Sequence, residues 1–365
     1  MYLAKMTTAQ AKEAFLKDPI IVIPVGSTEQ HGTQSALGTD FMVPSYLADH
    51  VEDVENVIVA PTVPYGVCPY HLSFEGSINI GYEGLYLVLH GIMDSLMQHG
   101  AKRFVILNGH GGNTPSIDRA ALEVYHKGGV CASVDWWSLV AQLDKKFEGG
   151  HGDVLETSAM MAIAPDSVHL ELSKPINAQD PTENMKAAYI QAVNFKGGIV
   201  RLVRDTKEIA PSGWFGPFDP KESSAELGQE ALDLAVAYIR DFLEEMKKME
   251  NISNLINFIV ICAFLVGILK GYKKGFLLEL SVILSFLAAF ILTPLFYSTF
   301  VSFFRKLLLY IAPATISNLL YQLPFFTVIM NSIAFSIIFY ICRTLAPITR
   351  LLSKTAFLSK DSPLN

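Results

Sequence analysis

Residues 20–40 read IIVIPVGSTEQHGTQSALGTD. The first six, Ile20 to Val25, are an unbroken apolar run of strand length, the kind buried on both faces of a parallel sheet. Behind it, Gly26 to Asp40 packs Glu29, His31 and Asp40 into fifteen residues with three glycines. Glu and His two apart on a glycine-bracketed loop can both turn inward, and a carboxylate nine residues on can close on the same point. Divalent-metal sites with oxygen and imidazole ligands are built from loops in this way. On this stretch alone, a polar loop with an incidental histidine stands as the alternative.

Working outward, the same strand–loop–helix unit recurs. Residues 7–17 read as a short helix capped by Thr7 or Thr8, and Asp18-Pro19 ends it before the first strand. Phe41 to Val51 reads as a helix and Val57 to Pro61 as a strand, followed by a Gly/Pro-rich loop holding His71. A helix over Gly84 to His99 leads to a strand over Phe104 to Leu107, and at once to Asn108-Gly-His-Gly-Gly-Asn113. Pro115 opens the next helix, and a strand over Val130 to Val134 ends in Asp135-Trp136-Trp137. This alternation predicts a three-layer αβα domain around a mostly parallel sheet. Ligands in such sheets gather outside the carboxyl ends of the strands. Glu29 and His31, His71, His110 and the tryptophan pair each follow a different strand, so their loops should open on one edge. Residues 150–164 add a second Gly/His loop and an apolar helical stretch from Glu156, residues 165–222 read as loops walling a pocket, and Ser223 to Lys248 as a long amphipathic helix capped by Ser223 or Ser224.

Composition splits the 365 residues in two. Residues 1–248 hold 19 Lys and Arg against 32 Asp and Glu, whereas residues 249–365 hold 9 against 3. All nine histidines lie before residue 170. The first part is therefore an acidic globule, from which no nucleic-acid partner is expected. Cys68, Cys131, Cys262 and Cys342 form no CxxC pair, which argues against a disulfide framework or a thiolate metal site. The N-terminus shows no apolar signal segment, so this part is expected in the cytoplasm.

Three motifs, GSTEQHG followed by TD, then NGHGGN, then HGDVLETS, occur in this order over most of residues 1–248. Together they resemble the creatininase (creatinine amidohydrolase) family. The resemblance implies a two-metal amidohydrolase holding Zn2+, Mn2+ or Fe2+. Glu29 and His110 would hold one ion, His31 and Glu156 the other, and Asp40 would bridge the pair. His151 matches the family's general acid/base histidine. Two cations so bridged lower the pKa of a shared water toward neutrality and supply hydroxide to an amide carbonyl. A leaving nitrogen needs a proton, which a histidine is suited to give. One departure stands out: creatininase itself carries a Tyr-Glu pair where this chain has Gly111-Gly112, which argues against creatinine as substrate. Other branches of the family read NGHGGN and hydrolyse formamides, cyclic amides or lactones. A cyclic amide or formamide C–N bond is thus the expected target, and a lactone or a cyclic sugar or ketone opened by hydrolysis is the alternative. His71, Trp136 and Trp137 are candidates to face a small-molecule substrate, although one tryptophan of the pair could equally pack in the core. A homo-oligomer is expected. A phosphate-cradling turn is the rival reading of NGHGGN, but it explains neither the histidine nor the upstream carboxylates.

From Ile252 the character changes. Leu255 to Leu269, Phe276 to Phe304 and Phe325 to Cys342 are long apolar runs, with Glu279 their one carboxylate. Each is near the length that spans a bilayer, and residues 305–323 offer a fourth span or an interfacial helix. An all-α transmembrane domain in a bacterial inner membrane is expected. Gly267-Ile-Leu-Lys-Gly-Tyr-Lys-Lys-Gly-Phe276 with Glu279-Leu280 resembles the opening of the colicin V production protein family, and Glu279 is placed to pair with Lys273 or Lys274. That resemblance brings no catalytic constellation, which leaves open a membrane protein whose first domain only docks. By the positive-inside rule Lys270, Lys273 and Lys274 belong in the cytoplasm. With three spans this conflicts with a cytoplasmic first domain, and a fusion of two products near Met249 would resolve the conflict.

Overall fold

A computed structural model describes residues 1–249, 261–262, 283–293 and 331–342. The chain divides into two compact units, Met1–Met249 and Glu250–Asn365.

In the first unit four strands, β1 (Ile20–Val25), β2 (Val57–Val59), β3 (Arg103–Asn108) and β4 (Val130–Asp135), form a sheet in the order β2-β1-β3-β4. All three pairings are parallel, and β1 pairs along its length with β3, from Ile20 opposite Arg103 to Val25 opposite Asn108. Ile20 and Val22 of β1 face a core shared with helices α2 (Thr39–Asp49), α6 (Val154–Ile163) and α8 (Ala225–Lys247). Ile21, Ile23 and Val25 face the opposite core, with α1 (Thr8–Phe15), α3 (Gly81–Gln98) and α4 (Thr114–His126). Alternate residues of a strand point to opposite faces, so an unbroken apolar β1 is what a sheet covered by helices on both sides requires. This is the αβα architecture that the alternation predicts.

Local signals act where the sequence puts them. Thr7 and Gln10 form a capping box at α1, and the Ser224 side chain accepts from the Leu227 N–H at the start of α8. Such caps satisfy helix-end donors that have no intrahelical acceptor. Trp136, the first residue of α5 (Trp136–Leu143), is 1% exposed and belongs to the α8-side core. It does not face the substrate side, and the expectation that it binds substrate is corrected on that ground.

Residues 165–222 depart from expectation. They contain an antiparallel sheet of β5 (Met185–Tyr189), β6 (Ala192–Phe195) and β7 (Gly198–Arg201), then the short α7 (Thr206–Ile209). The strands are short and largely exposed, so the apolar periodicity that announces a buried strand is missing.

In the second unit residues 283–293 and 331–342 are helical, and Phe286 packs edge-on against Phe335 with ring centroids 5.0 Å apart. Among the described residues no helix is long and apolar enough to cross a membrane. Residues 305–323, the Glu279, Lys273 and Lys274 group, and most of the runs Leu255 to Leu269 and Phe276 to Phe304 lie outside the described residues, whereas the run Phe325 to Cys342 is described over residues 331–342.

Candidate metal centre

The loop after β1 folds back on itself: the Glu29 N–H donates to the Leu37 carbonyl at 2.9 Å, and His31 bridges to Ser35. That closure returns the chain to the sheet edge as α2 begins and puts Asp40 in its first turn, where the helix dipole favours a carboxylate. Gly109, just past β3, makes the approach possible, because a Cβ there would overlap the Asp40 carbonyl oxygen. His110 follows directly. Asn108 braces this loop by donating to the His110 carbonyl at 2.9 Å and the Asp135 carboxylate at 2.8 Å, and Asn113 donates to the Gly26 carbonyl at 3.0 Å.

Five side chains from three loops meet here. His31 Nε2 lies 2.9 Å from Asp40 Oδ1 and 3.6 Å from Glu156 Oε2. His110 Nδ1 lies 3.1 Å from Asp40 Oδ2, and its Nε2 lies 3.2 Å from Glu29 Oε2. Two groups with metal-ligand spacing result, Glu29–Asp40–His110 and His31–Asp40–Glu156, and Asp40 is common to both. A third, Glu29–His31–His151, overlaps them. His31 Nδ1 donates to the Glu29 carbonyl at 3.0 Å, which leaves Nε2 as the ligating nitrogen.

The electrostatics call for cations. Glu29 and His31 are fully buried, and Asp40 nearly so. Both Glu29 carboxylate oxygens and Asp40 Oδ2 are buried without a hydrogen-bond donor. Burial pushes Glu29 up to about 7 despite His110 beside it, and pushes Glu156 up to about 8. Burial also opposes charge on His31 and His110, but Asp40 with Glu156 raises the first to about 10, and Glu29 with Asp40 raises the second to about 9. Burial opposes the Asp40 charge too, yet the two histidines hold it below the ordinary carboxylate range. Three buried carboxylates around two imidazoles are stable as anions only with added positive charge, and two divalent ions fit that donor set.

His151 and His71 complete the floor. His151 stacks between them, with ring centroids 4.5 Å from His31 and 4.5 Å from His71. Burial holds His71 down to about 3 and His151 well below its ordinary value, the latter helped by the neighbouring histidines. Gln30, which the motif reading passes over, links the two. Its Oε1 accepts from the Gly32 N–H at 2.9 Å, so the amide presents its Nε2 to His71 Nδ1 at 2.8 Å and His151 Nε2 at 2.9 Å. The His71 proton is then on Nε2, 3.4 Å from Glu29 Oε1, whereas His151 Nε2 meets both the Gln30 amide and, at 2.8 Å, the Gln30 backbone carbonyl. Gln30 stands between the two residues the motif reading selects, so its place in the loop was the available signal.

A cleft of about 510 Å³ opens on the centre and takes in Asp40, His110, His151, Glu156, His71 and Trp137. Its outer wall carries Tyr70, Tyr82 and Arg201, for which the sequence offers no signal. His50, His90, His99, His126 and His169 line no part of it. At Gly112 a Cβ would overlap the Val67 carbonyl and the His110 ring, so this backbone has no room for the carboxylate of the Tyr-Glu pair.

Fold and site define the class: an αβα protein with a buried carboxylate–imidazole centre at the carboxyl edge of a parallel sheet. The family model described as creatinine amidohydrolase matches residues 4–243, and the chain belongs to that family. The model for colicin V production protein matches residues 256–365. Relatives include 3-dehydro-scyllo-inosose hydrolase of Thermotoga maritima, 28% identical over 47% of this chain and 58% of that protein. The mycofactocin precursor peptide peptidase of Mycolicibacterium smegmatis is 31% identical over 44% and 64% of the two chains. Creatinine amidohydrolase of Pseudomonas putida is 30% identical over 42% and 68%. The matches span 58 to 64% of the first two relatives' lengths. A manganese creatininase structure superposes with a TM-score of 0.53 at 24% identity, covering 67% of this chain and 98% of its own. A zinc–zinc creatininase gives 0.53 at 23% identity, over 67% and 97%. These likenesses establish the fold.

Proposed function

We propose that residues 1–248 form a dinuclear metal-dependent amidohydrolase that cuts a C–N bond in a small cyclic amide or formamide. The observation carrying this reading is the single carboxylate, Asp40, shared by two buried ligand groups, in which both Glu29 oxygens and Asp40 Oδ2 lack donors. Glu29 and His110 would hold one ion, His31 and Glu156 the other, and Asp40 is the residue common to both groups. Bound there, a divalent pair (Zn2+, Mn2+ or Fe2+) supplies Lewis-acid polarisation of the amide carbonyl and lowers the pKa of a nearby water.

The remaining steps belong to the chain's own side chains. His151 is neutral at pH 7 and borders the cleft, which suits it to take a proton from the attacking water and return it to the leaving nitrogen. The Gln30 carbonyl, 2.8 Å from His151 Nε2, stands ready to accept from that nitrogen while the ring is charged. Gln30 and His71 keep the ring in one orientation, and Trp137 and the tyrosines of the outer wall restrict water. The family match to an inosose hydrolase favours one further reading, hydrolytic opening of a cyclic ketone or sugar derivative by the same centre.

The match of residues 256–365 to colicin V production protein, and the apolar runs there, support attachment of the enzyme to the bacterial inner membrane; a cytoplasmic catalytic domain is proposed on the lack of an apolar signal segment at the N-terminus. The test is metal analysis of the full-length protein together with a screen of small amides, formamides and lactones. About two divalent ions per chain and a turnover abolished by chelator are expected. A folded protein free of metal and inert toward the screen would sink the proposal.

A further inference from the structure

The outer wall of the cleft holds an arrangement that the hydrolytic chemistry does not use. Arg201 ends β7 and pairs across the hairpin with Ala192, and its Nη2 donates to Gln191 Oε1 at 3.3 Å. Tyr70 and Tyr82 line the same cleft as Arg201. Among the residues lining the cleft, Arg201 is the one Lys or Arg. Arg103, Arg119 and Arg240 are each paired with a carboxylate, whereas Arg201 has no carboxylate partner among the described residues. Gly111 and Gly112 line the same cleft and contribute no side chain to it.

We propose that Arg201, with the hydroxyls of Tyr82 and Tyr70, is a carboxylate-binding subsite, and that the substrates are small amides bearing a carboxylate away from the bond that is cut. The inference rests on the hydrolase reading for the word substrate, and on the cleft geometry alone for the subsite. A guanidinium presents parallel N–H donors that match the two oxygens of a carboxylate, and two phenol hydroxyls add donors from the side. Because Arg201 lines the same cleft as the ligand cluster, its fixed positive charge would take the acid group of such a molecule and leave the amide for the centre.

The probe pair is pyroglutamate, a lactam with a carboxylate, and pyroglutaminol, its uncharged alcohol counterpart. Calorimetry on the full-length protein, metal-free and zinc-loaded, measures both. The acid should bind at least about tenfold tighter in each state, as expected for a charged hydrogen-bonded pair. Arg201→Gln should bring the ratio of the two affinities to about one, Arg201→Lys should retain part of it, and Tyr82→Phe should lower it a few-fold. A preference that vanishes on metal removal, or that survives Arg201→Gln, would place the acid on the metals and overturn the subsite. Turnover of the same pair is read in parallel. No hydrolysis with the Arg201-dependent preference intact, together with an inert screen and a metal-free protein, would end the hydrolase reading and leave the subsite standing.

Discussion

Asp40 Oδ1 lies 2.9 Å from His31 Nε2, although the two are nine positions apart along the chain. The other oxygen of the same carboxylate lies 3.1 Å from His110 Nδ1. One side chain thus belongs to two ligand groups, and the consequences of removing it differ from those of removing any neighbour.

Asp40→Asn should take both ions from the protein, and His110→Ala should release at least one. His151→Ala should keep about two ions per chain and lower turnover by about a hundredfold or more, the usual weight of a proton-transfer group. Elemental analysis beside a rate assay reads both quantities. Equal metal loss in His110→Ala and His151→Ala would show that His151 is a ligand.

The pH dependence follows from the direction of the shifts. In the metal-free protein Glu29 and Glu156 are raised to about 7 and 8, and His31 and His110 to about 10 and 9. All four bind protons more tightly folded than unfolded, so the stability they contribute is full at low pH and is lost as pH climbs toward 10. Asp40, lowered, works the other way only in acid. Metal must displace these protons, so its affinity should rise about tenfold per pH unit for each proton released. Melting curves with and without zinc at pH 5.5, 7 and 8.5 should show a metal-induced rise in Tm that grows with pH. A rise that stays flat would contradict the protonated cluster.

Gly109→Ala should destabilise the protein by about 2–4 kcal/mol and weaken metal binding, because the new methyl group meets the Asp40 backbone and cannot be relieved by a rotamer change. Gly91→Ala, a helical position with nothing within 4 Å of the added atom, is the control and should be neutral or slightly stabilising. Urea unfolding of the two variants separates them; similar midpoints would argue against the close approach of Gly109 to Asp40.

Gln30→Leu should retain the metals and lose turnover by about tenfold or more, since the tautomers of His71 and His151 are no longer set by the Gln30 amide. A shifted pH–rate profile would mark the effect as one on proton transfer. An unchanged profile with full activity would show the Gln30 bridge to be packing alone.

The order of strands and helices was legible because β1 and the Phe104 to Leu107 stretch of β3 are unbroken apolar runs and each strand is followed by a glycine-rich loop; two-faced burial writes itself into sequence. The residues that the structure gathers at the candidate centre were legible because metal chemistry restricts such residues to a few types in short motifs. Trp136 and Trp137 were not separable by sequence. They are neighbours at the start of one helix, and only the direction in which α5 leaves the sheet decides that Trp136 enters the core while Trp137 borders the cleft. The sheet of residues 185–201 left no periodic mark, because its side chains are mostly in solvent.

By itself, then, the sequence determined an αβα frame, a family and the list of side chains able to bind metal, since burial and ligand chemistry both select residue types. The tertiary structure alone decided that Asp40 serves two groups at once, that Gln30 orients two histidines, and that Arg201 faces the same cleft from a distant hairpin. Those are distances between loops remote in the chain, set by how helices pack on the sheet, and no local pattern of residues encodes them.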